Sequence, residues 1–206
     1  MHGIVALIAS TAAIAIAAPA LALEELPRGL ARLGPETVAR AVRMTDDPAQ
    51  RITVMSTADA WSQGHALQGA YATDVHLKAV VDRVTRKARW QVWHELEYQG
   101  AERRFSGVTY LLGANKIETP LTSVEQWTDY SVDGDGFGRD ARRARVVFEL
   151  PEDVVRLIAA GYRAGSREPW RLQFREAGGG DVSAGLAPAE VAGLVLAFER
   201  WQARGS

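Results

Sequence analysis

The sequence contains no cysteine. That absence excludes disulfide bonds, zinc sites with cysteine ligands, cysteine nucleophiles and lipid attachment to an N-terminal cysteine. The local signatures of serine hydrolases, zinc proteases and phosphate-binding loops (G-x-S-x-G, H-E-x-x-H and G-x-x-x-x-G-K-S/T) are also missing. An enzyme with this sequence would therefore need a catalytic set that no local motif predicts.

Lysine is scarce, since only residues 78, 87 and 116 are lysine and arginine supplies the rest of the 24 basic residues. Against 25 acidic residues, the formal net charge is −1. This balance gives no general attraction to nucleic acid or to an anionic membrane, so nucleic acid is not an expected partner. At 206 residues and 47% hydrophobic content, the chain is long enough for one domain with a real core.

Only one long apolar run is present, and it lies at the N-terminus. Residues 4–18 carry no charge, and the Ala-Leu-Ala tripeptide at positions 20–22 has the small-x-small pattern that signal peptidase cleaves after. An uncleaved anchor is the alternative, but the run is short for a hydrocarbon core of about 30 Å. We therefore predict a signal peptide over residues 1–22, a single α+β domain over residues 23–206, and a periplasmic or secreted location without a stable membrane anchor.

The most informative stretch is residues 87–112, where apolar and polar positions alternate. A period of two predicts β-strands, and Gly100 followed by Ala101 suits a type II′ turn, whose first position needs positive φ. The stretch therefore predicts a long β-hairpin. Its register would give these cross-strand pairs: Gln99 with Glu102, Glu97 with Arg104, Leu96 with Phe105, His94 with Gly107, Trp93 with Val108, Gln91 with Tyr110 and Trp90 with Leu111.

Two groups of residues in this hairpin are candidate binding residues. His94 would lie on the apolar face opposite Gly107, which leaves room for an imidazole or a ligand. The pattern favours a buried histidine hydrogen-bonded to a neighbour over catalysis or metal binding. Trp93, Val108 and Tyr110 would form an apolar cluster on the other face, either covered by a helix or exposed as a binding patch. The helices predicted near the C-terminus favour cover.

The rest of the chain predicts an α+β fold with an antiparallel meander sheet of about six to eight strands and two C-terminal helices packed on it. Residues 74–131 are interpreted as four meander strands. A β-α-β-β-α tail follows, with strands over residues 145–150, 170–176 and 181–185 and helices over 152–164 and 188–203. Residues 37–44 are ambiguous between a helix after Pro35 and a hairpin strand, and their alternation favours the hairpin.

Two loops contain further candidates. Residues 58–73 are rich in Gly, Ala, Ser and Gln and include Trp61, a weak candidate for contacting a ligand. In residues 133–140, two aspartates and a glycine match the first, third and sixth positions of a calcium loop. The fifth position is Phe137 and the twelfth is Ala144, where carboxylates are needed. We therefore predict neither a metal site nor a cofactor.

The layout resembles an uncharacterised family of exported proteins from Proteobacteria. The similar segments are residues 74–82 (DVHLKAVVD), the aromatic stretch 87–112, residues 148–153 (FELPED) and residues 187–193 (APAEVAG). The resemblance covers most of the mature chain and implies a fold but no activity. It also implies cysteines in the loop at residues 133–140, which this sequence lacks, so any disulfide there is absent.

Three functional hypotheses remain. The first is a non-catalytic binding or envelope-associated module whose partner is an unknown small ligand or an envelope protein. Its candidate binding residues are His94, Trp93, Tyr110 and Trp61. The second is a periplasmic hydrolase with His94 as base, although adjacent Glu95 would point to the opposite face of the strand. The third is a metal site from His65, His76 and His94, which lie in separate elements. The sequence favours the first hypothesis and leans against an enzyme.

Overall fold

The computed structural model describes residues 25–26, 28–58, 73–98, 100–132 and 138–204. In chain order the elements are α1 (Arg28–Ala31), α2 (Pro35–Ala41), β1 (Arg43–Asp47), β2 (Ile52–Ser56), β3 (Thr73–Asp82), β4 (Ala88–Tyr98), β5 (Phe105–Leu112), β6 (Asn115–Pro120), β7 (Ser123–Val132), β8 (Gly138–Leu150), α3 (Glu152–Ala160), β9 (Trp170–Glu176), β10 (Val182–Leu186) and α4 (Pro188–Arg204). The strands pair antiparallel in two sheets, and the C-terminal helices pack against strands. The predicted α+β class is confirmed. The predicted signal peptide lies outside the described residues.

Sheet A has six strands in the order β1-β2-β3-β4-β8-β7, so β4 lies between β3 and β8. Along β4 every second side chain is buried, as the alternation predicts: Trp90, Val92, His94, Leu96 and Tyr98. The side chains between them face the opposite, outer side: Gln91, Trp93, Glu95 and Glu97. The inner face of sheet A therefore belongs to the core, whereas its outer face carries polar and aromatic groups.

Sheet B has four strands in the order β10-β9-β5-β6 and covers part of the inner face of sheet A. Aromatic rings join the two layers. The imidazole of His94 stacks on Phe174 of β9 with the ring centroids 4.5 Å apart, and Tyr110 of β5 stacks on Phe148 of β8 at 6.2 Å. Burying an apolar ring such as that of Phe148 or Phe174 stabilises the fold by roughly 1.5–3 kcal/mol. The main core lies between the two sheets.

The helices α3 and α4 cover the inner face near Trp90. The ring of Phe198 on α4 meets Trp90 edge-on with the centroids 5.3 Å apart. Helix α3 has Glu152 and Asp153 in its first turn, where carboxylates interact favourably with the exposed N–H groups. Leu157 is 55% exposed, because it lies on the side of α3 away from the residues that pack on the sheet.

The predicted hairpin over residues 87–112 is wrong. Strand β4 pairs with β3 and β8, and β5 pairs with β6 and β9, so the predicted pairs between β4 and β5 do not form. The chain does turn at Gly100, where φ is 92°, but it passes there from sheet A to sheet B. The predicted cluster of Trp93 with Val108 and Tyr110 is wrong for the same reason.

The charges on β8 explain why β4 pairs with it. The predicted hairpin offers the outer carboxylates of β4 a single cation, Arg104 opposite Glu97. In the structure β8 supplies two cations. Arg145 Nη2 lies 2.7 Å from Glu95 Oε1, and Arg143 Nη2 lies 3.1 Å from Glu97 Oε2. Each cross-strand pair of opposite charge contributes roughly 0.2–1 kcal/mol. These pairs join residues far apart in sequence, so a local pattern does not reveal them.

Smaller differences concern the ends of strands. The ambiguous residues 37–44 contain the end of helix α2, and β1 begins only at Arg43, so the predicted hairpin of β1 and β2 forms but starts later. Proline at position 35 favours the helix, since the first turn needs no N–H donor. Residues 74–131 contain five strands in two sheets rather than four in one meander, because β6 is polar and its alternation is weak.

Replacing Gly193 with alanine is expected to lower the free energy of unfolding by about 1–3 kcal/mol through overpacking. A Cβ at this position of α4 would lie 2.9 Å from the carbonyl oxygen of Pro35 and closer still to the side chain of Val38 on α2. Alanine has the higher helix propensity by about 1 kcal/mol, so a loss of stability would report the close approach of the helices. Urea denaturation measures it.

The matched control is Gly34→Ser. A Cβ at Gly34 meets no heavy atom within 4 Å, and serine is a favourable residue at the N-cap of α2. This variant is expected to unfold at the wild-type urea concentration or above it. If Gly193→Ala were as stable as Gly34→Ser, the packing of α2 on α4 described here would be contradicted.

Candidate functional site

The candidate binding residues lie in different parts of the fold. His94 faces the core between the sheets, and Trp93 faces the outer side of sheet A. Tyr110 is buried in the core on β5, where its ring contacts Phe148 and Trp170. Trp61 lies outside the described residues. Of the three that the structure describes, Trp93 is the one on an accessible concave surface.

His94 is a fully buried imidazole. It is 0% exposed, and neither ring nitrogen has a hydrogen-bond partner among the residues that the structure describes. The predicted burial is confirmed, but the predicted hydrogen bond to a neighbour is not found there. Burial, with a smaller contribution from nearby His76, lowers the pKa of His94 from 6.5 to about 3. The ring is therefore neutral at pH 7.

This burial limits what His94 can do chemically. A general base must come within hydrogen-bond reach of the proton that it removes, and a metal ligand needs further ligands around the ion. Within the described ranges, no group of three or more His, Asp or Glu residues is close enough to hold a metal ion. His65, the third histidine of the metal hypothesis, lies outside these ranges.

The outer face of sheet A forms a groove of about 440 Å³, which we call the Trp93 groove. It lies across β1, β2, β3, β4 and β8, and the antiparallel register brings its side chains to one face. The lining residues are Arg43, Thr45, Val54, Ser56, Ala58, His76, Lys78, Trp93, Glu95 and Arg145. Most of them are polar or charged, and the indole of Trp93 lies among them.

Trp93 is surrounded by cationic and aromatic groups. The Nζ atom of Lys78 lies 3.4 Å from the centroid of the indole, and the guanidinium carbon of Arg145 lies 5.7 Å from it. The ring of His76 is stacked at 6.1 Å between centroids. The indole Nε1 donates a hydrogen bond of 3.2 Å to Gln91 Oε1, which holds the orientation of the ring. A cation over an indole face is attracted by the negative charge of the π-system.

Arg145 is the cation that connects neighbouring strands on this outer face. Its Nε donates to Glu95 Oε1 at 2.8 Å and its Nη1 to Glu125 Oε2 at 3.2 Å. The hydrogen bond to Glu95 is the largest cause that raises the pKa of Arg145. Its guanidinium also lies 5.3 Å from the ring of Trp127. Arg145 thus links β4, β7 and β8 across the outer face.

Lys78 has a different environment. Its side chain is half-buried, and it forms no ion pair with any residue in the described part of the chain. Burial is the largest cause that lowers the pKa of Lys78 from 10.5, and the charge of Arg145 lowers it further, while Glu95 and Glu125 oppose them. Its ammonium group therefore lies in the Trp93 groove close to an indole and without a carboxylate partner.

The sequence contains part of the signal for this site. The period-two alternation predicts His76 and Lys78 on one face of β3 and Trp93 on one face of β4. It does not predict that β3 and β4 place His76 beside Trp93, nor that Arg145 joins them from β8. From the sequence alone, the arginine-rich residues 139–145 suggest a solvated edge of a loop and the following strand rather than part of a site. The sequence therefore does not predict that Lys78, His76 and Arg145 lie together in one groove.

A second cavity, of about 180 Å³, lies among α1, the end of α3 and the start of α4. Its walls are largely apolar: Leu26, Leu30, Leu33, Ile158, Tyr162 and Trp170. Several of these leucines also form the small core around α1. We interpret this cavity as a gap in the packing of that small core.

Replacing His94 with leucine is expected to stabilise the protein at pH 7 and to reduce its acid sensitivity. The pKa of the folded state, about 3, lies below the ordinary 6.5, so the unfolded chain binds the proton first as the pH falls. The free energy of unfolding should therefore decrease below pH 6.5, by up to about 1.4 kcal/mol per pH unit, until the folded state also titrates. Above pH 6.5 the ionisation has no effect.

His94→Gln separates ionisation from the burial of polar atoms. Glutamine does not titrate but leaves an amide without partners in the core, so this variant should lose the acid sensitivity and also some stability. Urea denaturation of the wild type and both variants at several pH values between 3 and 7 measures the slopes. Equal slopes in all three proteins would contradict the buried, neutral imidazole.

Comparisons of the chain with protein-family models, with curated proteins and with solved structures find no match. No helix among the described residues is long and apolar enough to cross a membrane. The function is therefore argued from side-chain chemistry. Two features need an explanation, the Trp93 groove on the outer face and the sealed imidazole of His94 on the inner face.

Proposed function

We propose that this chain is an exported, non-catalytic binding protein whose ligand site is the Trp93 groove. The single observation that supports this most is the indole of Trp93, placed in a concavity of about 440 Å³ with the Lys78 ammonium 3.4 Å from its centroid. Small-molecule sites are concave, have volumes of roughly 300–1,000 Å³ and combine an apolar or aromatic surface with a few polar groups. The groove is concave, has a volume in this range and places one indole among its polar groups.

The energetics of the outer face support the same proposal. A half-buried lysine that forms no ion pair with any described residue is unfavourable for folding, because burial removes water from the ammonium and the charges of Glu95 and Glu125 offset this only in part. Groups whose pKa is shifted by burial inside a cleft are common at functional sites. A ligand that contacts Lys78 and Trp93 would compensate for this lost hydration. The concave shape favours a small ligand over a protein partner.

Catalysis by His94 has less support. The hydrolase and metal hypotheses both need the imidazole to reach a substrate or an ion, and its side chain is 0% exposed on the face of β4 opposite the groove. Glu95, the neighbouring carboxylate, points to the other face and bonds to Arg145. The groove itself holds a lysine, two arginines, the largely buried His76 and one carboxylate that is bonded to Arg145, and this set suits binding better than general acid–base chemistry.

Trp93→Ala is expected to abolish ligand binding at a moderate cost in stability. Because the ring is partly exposed, the loss should stay below the roughly 3–5 kcal/mol of a fully buried tryptophan. A defined panel of soluble sugars, amino acids, dicarboxylates and phosphate esters is screened against the folded protein by ligand-observed NMR. At least one panel member should bind to the wild type and not to Trp93→Ala.

The matched control is Trp170→Ala, which truncates another partly buried tryptophan, at the second cavity. It should retain binding of the same panel members. If Trp170→Ala lost the binding and Trp93→Ala kept it, the ligand site would be the second cavity and the proposal would fail. Urea denaturation of both variants confirms that they are folded under the conditions of the screen.

The export part of the proposal rests on residues 1–22. After expression in a Gram-negative host, the protein is expected in the periplasmic fraction with Leu23 as its first residue, as measured by intact mass. Ala22→Phe should block cleavage, because signal peptidase needs a small residue before the cut. Full-length protein confined to the cytoplasm would contradict export without affecting the proposed ligand site.

A further inference from the structure

The Trp93 groove has an uneven charge. Three of its lining side chains are cationic, Arg43, Lys78 and Arg145, and one, Glu95, is a carboxylate. That carboxylate is already bonded to Arg145, with 2.7 Å between Nη2 and Oε1. Arg145 is bonded to Glu125 as well, whereas Lys78 forms no ion pair with any residue that the structure describes. A cation of this kind in a concave surface attracts anions from solution.

Lys78 is the cation with the greatest need for an anion. Its ammonium is half-buried and close to the Trp93 indole, and in the described part of the chain it has no carboxylate within ion-pair distance. An indole face compensates only part of the hydration that a buried ammonium loses. A carboxylate or phosphate oxygen at Nζ would supply the missing charge-assisted hydrogen bond.

The register adds a hydroxyl donor beside Lys78. Ser56 of β2 pairs with Lys78 of β3, so the two side chains are neighbours on the outer face. Neighbouring strands are about 4.8 Å apart in the hydrogen-bonding direction. Ser56 Oγ accepts the N–H of Ala58 at 3.2 Å, and no described residue accepts its O–H, which can therefore donate to a ligand.

We propose that the groove binds a small organic oxyanion, a ligand whose carboxylate or phosphate group is held by Lys78 with Ser56, and whose adjacent ring contacts Trp93. This inference rests on the Trp93 groove being a ligand site. It adds the chemical class of the ligand. A neutral ligand of the same shape would leave the ammonium of Lys78 unpaired and would bind more weakly.

The test uses probes that differ in charge but not in shape. Benzoate and phenyl phosphate are the anionic probes, and benzamide is the neutral one. Binding to the wild-type protein is measured by NMR titration of the Trp93 indole signal, assigned with Trp93→Phe. Both anions are expected to shift this signal at millimolar concentrations, and benzamide is expected to bind at least roughly tenfold more weakly.

The scarcity of lysine provides an internal control. The chain has three lysines, and Lys87 and Lys116 are exposed outside the groove. In protein labelled only at lysine, bound anion should raise the pKa of Lys78 toward its ordinary value. The signals of Lys87 and Lys116 should not respond to the anion. Lys78→Met should weaken anion binding roughly tenfold or more, whereas Lys116→Met should not change it.

Every outcome of these experiments either supports or contradicts the proposed binding of an oxyanion. Methionine is apolar and similar in length, so Lys78→Met should be at least as stable as the wild type, and a folded variant that still bound benzoate normally would overturn the proposal. Failure of both anions to bind at millimolar concentrations would overturn it too. If benzamide or a neutral sugar bound in a Trp93-dependent manner while the anions did not, the groove would remain a ligand site and only the anionic class would be wrong.

Discussion

The central position of β4 is the constraint on which the rest of the structure depends. Its backbone is hydrogen-bonded to β3 on one side and to β8 on the other, so no third strand can pair with it. The chain after Tyr98 must therefore leave sheet A, and it builds sheet B, which then covers part of the inner face. Because side chains alternate along a strand, β4 supplies Trp90 to the core and Trp93 to the groove. The core and the candidate site are two faces of one strand.

The polar groups on the two faces of β4 have opposite environments. On the inner face, His94 is stacked on Phe174 and kept neutral, since no described residue offers its nitrogens a hydrogen bond. On the outer face, charge is retained and arranged, with Arg145 bonded to Glu95 and Glu125. A buried group without partners reduces stability, whereas a paired charge at a surface changes it by less than about 1 kcal/mol. His94 therefore affects stability, whereas the outer charges are the groups that the proposed ligand would contact.

Local periodicity predicts much of this fold and little of its pairing. It predicts the faces of β3 and β4, the strand β9 and the helices α3 and α4, because each of these depends on residues close together in sequence. The partner of β4 depends on Arg143 and Arg145, which lie more than forty positions away from Glu97 and Glu95. Gly100 is compatible with a tight turn, and it therefore suggests that β4 pairs with β5, the next strand in the chain. The same limit applies to the site, since Lys78, Trp93 and Arg145 converge only once the register is known.

The different roles of the two cations follow from side-chain geometry rather than from charge. The planar guanidinium of Arg145 can contact two carboxylates and two indoles at once, and it uses this capacity fully. Lysine carries a compact charge on a flexible stem, and Lys78 places it over one indole without reaching Glu95 or Glu125. An arginine at position 78 would compete with Arg145 for those carboxylates. The lysine instead keeps its charge beside the indole of Trp93, where the proposed ligand would meet it.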